Sequence, residues 1–343
     1  MKGDGLTRRH FIATTGAAAA WLAIPAPLHA QSTTKRPVLG AGEHTYECIH
    51  DWLTPPTNIK WGDTHGLAKD AYGRIYVAHT VGAGSVGSDA VLVFDPKGKF
   101  ITSWGAEFRG GAHGLDLRKE GSEEYLYHCD TRRRLIVKTT LAGKVVWQKG
   151  VPMESGVYAS EGQFCPTNVA FLPDGDLFVA DGYGSSYIHR YDKDGEYKGV
   201  VIKPGSEAGF VREPHGLWVD KRGKTPKLVV ADRANHRLQE FDLEGKHLGF
   251  VTGGMRRPCH VHYQGELALV PDLDSIVTIL DKDNRVVAAL GDGAPDDLRD
   301  VPREKFIPGK FVHPHAAIWT DKRDILVCEW VPIGRLTRLR KVG

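Results

Sequence analysis

Histidine is the side chain most often used to hold a transition metal, and five histidines recur here at one place in a repeated pattern. They are His65, His113, His215, His260 and His315, and the sixth equivalent position holds Asn168. Most sit in a corner of the type His-Gly-Leu or Pro-His. They are spaced by about 45 to 55 residues, close to the period of a propeller blade. His262 and His313 lie two residues from two of the corners, where the period of a strand would point them the same way. Six equivalent positions around one axis form two alternate triangles. One is His113, His215 and His315, three neutral nitrogens that leave a coordination position open, as a catalytic zinc requires. The other, His65, Asn168 and His260, is a poorer ligand group. A single corner histidine has a sufficient purpose in bonding a neighbouring backbone. Five in register favour a divalent metal, and zinc, copper, iron and manganese all suit a histidine site.

These corners need elements that bring them to a common axis. The clearest repeat begins at Pro214-His215-Gly216-Leu217, continues through Leu228-Val229-Val230-Ala231-Asp232, and ends at Arg237-Leu238-Gln239-Glu240-Phe241-Asp242 before a Gly245-Lys246 turn. Further copies begin at His65, His113, Pro166, Pro258 and Pro314. Each offers three or four short strands separated by Gly, Asp and Lys turns. The expected fold is all-β, a six-bladed β-propeller in which each blade covers its neighbour and only short edges remain. The sixth unit has three strands. The strand-like run Tyr46–Trp52 ahead of the first corner is expected to supply its outer strand and close the ring.

The chain has 343 residues and a formal net charge of +3, with 40 glycines marking many turns. Its scattered basic residues give no reason to expect nucleic acid as a partner. Residues 1–30 read as a twin-arginine signal peptide, with Arg8-Arg9, an alanine-rich apolar run too short to span a membrane, and Leu28-His29-Ala30 as the cleavage site. Residues 31–44 read as a linker and residues 45–343 as the propeller. The expected mature protein is a periplasmic or secreted monomer with no membrane insertion. Its five cysteines, Cys48, Cys129, Cys165, Cys259 and Cys328, form no CxxC pair and read as small core residues.

Over about residues 60 to 340 the chain resembles the NHL-repeat propellers and, within them, the peptidyl-α-hydroxyglycine α-amidating lyase family. The resemblance rests on Phe164-Cys165-Pro166-Thr167-Asn168, Val179-Ala180-Asp181-Gly182-Tyr183, Pro214-His215-Gly216-Leu217, Ala231-Asp232-Arg233-Ala234-Asn235-His236-Arg237 and Pro314-His315. It implies a zinc held by His113, His215 and His315, with Tyr183 as base or nucleophile. In that family zinc and the tyrosinate act on a carbinolamide hydroxyl and release an amide and glyoxylate. The resemblance also implies a structural calcium, but Ala316 stands where an acid would hold it. Thr80, after His79, replaces an active-site arginine. Arg256 or Arg257 is the expected substitute, with Arg257 as a catalytic candidate. His313 replaces a methionine, and Gly184 replaces the cysteine that would pair with Cys165.

Three functions follow. The first is a zinc-dependent lyase acting on a small hydroxylated, amide or peptide substrate. The second is a calcium-dependent propeller hydrolase or lactonase, disfavoured because the inner corners carry histidine where that group carries carboxylates. The third is a non-catalytic NHL-type module that binds a ligand or protein across one face.

Overall fold

The computed structural model describes residues 35–293, 298–320 and 322–343. The stretch expected as a signal peptide and the start of the expected linker lie outside the described residues. Arg36–Gly343 forms one compact unit built of six sheets, the six expected blades, antiparallel except where Phe210–Val211 adds in parallel to Tyr197–Pro204 at the edge of the third. Their inner strands are Thr64–Lys69, Ala112–Glu120, Asn168–Phe171, Pro214–Asp220, His262–Gln264 and Pro314–Trp319.

The middle strands explain the apolar runs. Val91–Phe94 and Leu177–Ala180 are buried at every residue, because a neighbouring blade covers each face of the sheet. The core is accordingly divided into layers between blades. Leu67, Val77 and Phe94 of the first blade pack on Ile318 and Leu326 of the last. Ile188 and Phe178 of the third pack on Leu228 and Phe241 of the fourth. Burying each such side chain contributes about 1.5–3 kcal/mol.

The recurrent Asp before the outermost turn has a local purpose. Asp95 Oδ1 accepts the backbone N–H of Lys97 and Lys99, both at 2.8 Å. Asp242 does the same for Glu244 and Lys246 at 3.0 and 2.8 Å. Gly98 and Gly245 follow with φ of 85° and 87°, a region glycine enters without steric cost.

A second acid sets the corners. At the end of the second strand of four blades, a carboxylate accepts the backbone N–H of the residue three positions before the corner. The pairs are Asp181 with Cys165 (2.6 Å), Asp232 with Arg212 (2.7 Å), Asp272 with Arg257 (2.8 Å) and Glu329 with Val312 (2.7 Å). In the first blade His79 takes this place, its Nδ1 accepting from Gly62 N at 3.2 Å. Each clamp fixes the approach to an inner strand and so the direction of the corner side chain.

The ring closes as expected. Tyr46–Ile49 pairs antiparallel with the last strand, Arg335–Lys341, with Tyr46 opposite Lys341. Val38–Leu39, inside the stretch expected as linker, adds a short fifth strand. Among the described residues no helix is long and apolar enough to cross a membrane.

Candidate metal centre

Four of the corner histidines, His65, His113, His215 and His315, converge on a cavity of about 20 Å³ in the channel, room for a single ion or water. All are buried, with exposures of 7%, 3%, 2% and 4%. The glycine after the corner makes this convergence possible. A Cβ on Gly114 would lie 2.3 Å from Thr167 O, and one on Gly216 would lie 2.4 Å from Cys259 O. Those two carbonyls, and that of His65, receive the imidazoles. His113 Nδ1 is 3.0 Å from Thr167 O, His215 Nδ1 is 2.8 Å from Cys259 O, and His315 Nδ1 is 2.8 Å from His65 O.

A backbone carbonyl only accepts, so each of these three Nδ1 atoms carries the proton and each Nε2 carries a lone pair. The Nε2 atoms of His113 and His215 face each other at 3.2 Å. Two lone pairs at that distance repel unless a cation or a shared donor lies with them. Burial pushes the His113 pKa down to about 3. Burial first, then Arg233 and His113, holds His215 well below the usual histidine value. Burial first, then the neighbouring imidazoles, does the same for His315. The rings are therefore neutral, the state in which imidazole ligates metal. Two ligand clusters occur among the described residues, His65/His113/His315 and His215/Cys259/His315, each with ligating atoms within 4.8 Å. Neither includes a carboxylate. That donor chemistry fits zinc or another nitrogen-seeking metal, and it does not fit calcium. Ala316, at the position implied for a calcium ligand, is buried and offers no side-chain donor.

Tyr183 completes the group. Its hydroxyl is 3.2 Å from His113 Nε2 and 3.0 Å from His215 Nε2. The residue as a whole is 40% exposed, so part of the ring faces out while the hydroxyl sits between two buried imidazoles. Burial, partly offset by Arg233, pushes its pKa up to about 12. The loop that carries it is tied by Asp181, which accepts from Cys165 N, Ser185 N (2.7 Å) and Tyr158 Oη (2.8 Å). Gly184 is required there, since a Cβ would stand 2.0 Å from Asp181 Oδ1. Cys165 is a free thiol, as are the other four cysteines.

The cation beside Tyr183 is Arg233, a residue that the sequence offers only as part of a blade signature. Its guanidinium lies 5.2 Å from the Tyr183 ring centre, donates to Glu213, and is 3.7 Å from Cys259 Sγ. Glu213 has a φ of 53°, an uncommon conformation for a side-chain-bearing residue. Cys259, expected as a core residue, is buried but borders the centre. Arg257, the expected substitute cation, pairs instead with Asp274 (Nε–Oδ1 2.6 Å), and Arg256 pairs with Asp292. Arg299, its guanidinium 3.9 Å over Trp330 and bonded to Asp63, is a second arginine whose charge reaches His65.

Of the remaining candidates, Asn168 and His260 also line the small cavity, and His262 and His313 do not. Asn168 is a structural tie, donating to Asp116 Oδ2 (2.6 Å) and accepting from Leu217 N (2.7 Å). His260 lines both the small cavity and a larger one of about 260 Å³. His262 lines only the larger one, beside Trp218 and accepting from Trp319 N. His313 lies outside the small cavity, bonded to Leu273 O and packed against Trp330. The expectation that His262 and His313 share the mouth fails because the fifth inner strand begins only at His262 and the sixth only at Pro314. Strand alternation does not extend across a corner.

No protein-family model matches the chain. It is 26% identical over 273 residues to peptidyl-alpha-hydroxyglycine alpha-amidating lyase 1 of Drosophila melanogaster, covering 70% of this chain and 47% of that protein. It is 30% identical over 225 residues to peptidyl-glycine alpha-amidating monooxygenase A of Xenopus laevis, covering 57% of this chain and 23% of that protein. The chain thus spans about half or less of these relatives' length. Among solved structures it is similar to a streptogramin B lyase, with a TM-score of 0.56 at 9% identity, covering 86% of this chain and 98% of that one. At that identity the likeness shows the propeller fold.

Proposed function

We propose that this propeller is a metal-dependent lyase of the amidating type, acting on a small hydroxylated or amide substrate or the end of a peptide. The observation that carries the reading is the meeting of the His113 and His215 Nε2 lone pairs, each fixed by a backbone carbonyl, at the hydroxyl of Tyr183, with the His315 ring centre 4.8 and 4.7 Å from theirs. The amidating-lyase relatives support the reaction class. In this reading zinc is the ion, the substrate arrives from solution, and the mature monomer works outside the cytoplasm.

His113, His215 and His315 would hold the ion. Bound there, it supplies Lewis-acid polarisation of a substrate oxygen. Tyr183 moves the proton. Its hydroxyl is in hydrogen-bond reach of both His113 and His215, and Arg233 lowers the cost of its ionised form. Thr167 and Cys259 carbonyls hold the imidazoles in one tautomer, as the outer partners of metal-bound histidines do. The test is the metal content of residues 31–343 purified without chelator, beside a His113→Ala/His215→Ala double variant. The expected result is about one ion per chain, lost in the variant, together with cleavage of a peptidyl-α-hydroxyglycine by the wild type. An ion-free wild type whose melting temperature ignores added zinc would leave a ligand-binding module.

A further inference from the structure

Three of the five cysteines have an ordinary place in the core: Cys328, Cys48 and Cys129 each belong to a hydrophobic cluster. Cys259 belongs to none of the clusters among the described residues, although it is only 1% exposed. It lines the small cavity together with the imidazoles. We infer that Cys259 builds a second ligand set into that cavity, His215, Cys259 and His315, which takes a thiophilic ion such as cadmium or copper(I). The set shares two imidazoles with the proposed zinc site. It rests on the geometry of the cavity and not on the lyase reading.

The ligating atoms of His215, Cys259 and His315 all lie within 4.8 Å of one another, and all three residues are buried. His215 Nδ1 donates to Cys259 O and His315 Nδ1 to His65 O, both at 2.8 Å, so each Nε2 carries a lone pair. Cys259 thus serves the cavity twice. Its carbonyl fixes the tautomer of His215, and its sulfur stands beside the nitrogen that this tautomer presents. Three ligands leave a coordination position open, as in the zinc site.

The chemistry of the donors selects the ion. Thiolate is a soft ligand that favours copper(I) and other thiophilic ions. Cys259 is also the one member of the two ligand clusters that can bear a negative charge. Imidazoles alone leave a buried dication with its full charge, and a thiolate removes one unit of it. When the ion binds sulfur the S–H bond breaks and its proton leaves to solvent. Little holds that proton, since its carbonyl acceptor, Arg257 O, is 3.7 Å from Sγ. Arg233 Nη1, also 3.7 Å from Sγ, remains as a charge-assisted donor to the thiolate. The corner of the third blade shows what a structural residue does here. Thr167 follows Pro166 as Cys259 follows Pro258, and its carbonyl receives His113 as that of Cys259 receives His215. Its hydroxyl donates to Pro214 O at 3.0 Å, a bond that Cys259 lacks.

The experiment is a cadmium titration of residues 31–343, stripped with chelator, kept reduced and reloaded with zinc, beside the Cys259→Ala and Cys259→Ser variants. The readouts are the ultraviolet thiolate-to-cadmium charge-transfer band and the bound cadmium and zinc. The wild type is expected to develop the band up to about one cadmium per chain and to release zinc as it does so, because both ions need His215 and His315. Both variants are expected to lose the band, with cadmium affinity lower by at least about tenfold. Cadmium bound without the band, or a band that survives in both variants, would overturn the inference. A wild type that shows the band but takes up no zinc would overturn the zinc centre and leave this inference standing. Zinc uptake with no cadmium band would do the reverse. If neither variant folds, X-ray absorption at the cadmium edge of the wild type decides alone: a sulfur ligand sustains the inference, and nitrogen and oxygen ligands only would overturn it.

Discussion

At the scale of single residues, the site depends on which atom of each ring holds a proton. Thr167, Cys259 and His65 fix that choice through their carbonyls. Tyr183 is the group placed to exploit it. Replacing Tyr183 by Phe removes the hydroxyl without touching a proposed metal ligand. Zinc content is expected to be unchanged, and turnover of a peptidyl-α-hydroxyglycine is expected to fall by about 10²–10⁴. Loss of zinc along with activity would assign Tyr183 to holding the ion. Arg233 is the second test. Arg233→Lys keeps a charge but loses the fork that spans Glu213 and Cys259. The pH above which Tyr183 ionises is expected to rise, read as an upward shift of the rising limb of the activity profile. An unmoved profile would exclude that role. The sequence revealed the histidines because they recur in register. It concealed Arg233, because Ala231-Asp232-Arg233 is also what an ordinary blade contains. Only the packing of the third blade's loop against the fourth shows that this guanidinium meets Tyr183.

At the scale of elements, the corner is held by a carboxylate one strand away. Asp181→Ala would leave Cys165 N and Ser185 N without their acceptor at the base of the Tyr183 loop. The expected cost is about 2–4 kcal/mol in denaturant unfolding. Asp181→Asn keeps one oxygen acceptor and is expected to lose less. Equal losses would mean that the clamp is not the cause. The strand-ending acids were visible in the sequence as Ala180-Asp181, Ala231-Asp232 and Pro271-Asp272, but their partners lie 15 to 20 residues upstream. Repeat alignment cannot supply that link. The short fifth inner strand was equally hidden: its corner follows the common pattern, and regular pairing starts only at His262.

At the scale of the whole molecule, the interior is rich in neutral histidine. His79, His128 and His189 lie far from solvent between blades, and burial pushes their pKa values down to about 4, 3 and 4. Each would take a proton in the unfolded chain near pH 6.5 but not in the folded one. Folded-state stability is therefore expected to fall as the pH drops below about 6.5, by up to about 1.4 kcal/mol per pH unit for each such ring, until about pH 3–4. Asp181, pushed up to about 6 by burial, and Asp63 and Asp272, which burial also raises, work in the opposite sense above about pH 4, while His50 and His262, lowered to about 4 and 3 by burial, add to the three rings. Urea unfolding at a series of pH values measures the slope. His128→Gln, which keeps a partner for Thr139, is expected to reduce it. A flat profile between pH 6 and 4 would show that these rings are protonated in place. The six-blade architecture was legible because each blade repeats the same apolar runs and turns. The burial of His79, His128 and His189 between blades was not, since they lie outside the repeated corner.

The ring is fastened by the two ends of the chain: Tyr46–Ile49 lies beside Arg335–Lys341, and Val342 N donates to Thr45 O at 2.9 Å. On the ribosome this has a temporal meaning. The first residues of the propeller are made long before their partner strand exists, and the last blade stays an open edge until Arg335–Lys341 has been made. Closure is the contact of greatest sequence separation, so it carries the largest entropic cost and falls late in folding. A circular permutant that begins at residue 53 and carries residues 36–52 after Gly343 would turn that pairing into a local one. Its native state would be unchanged, and it would close faster.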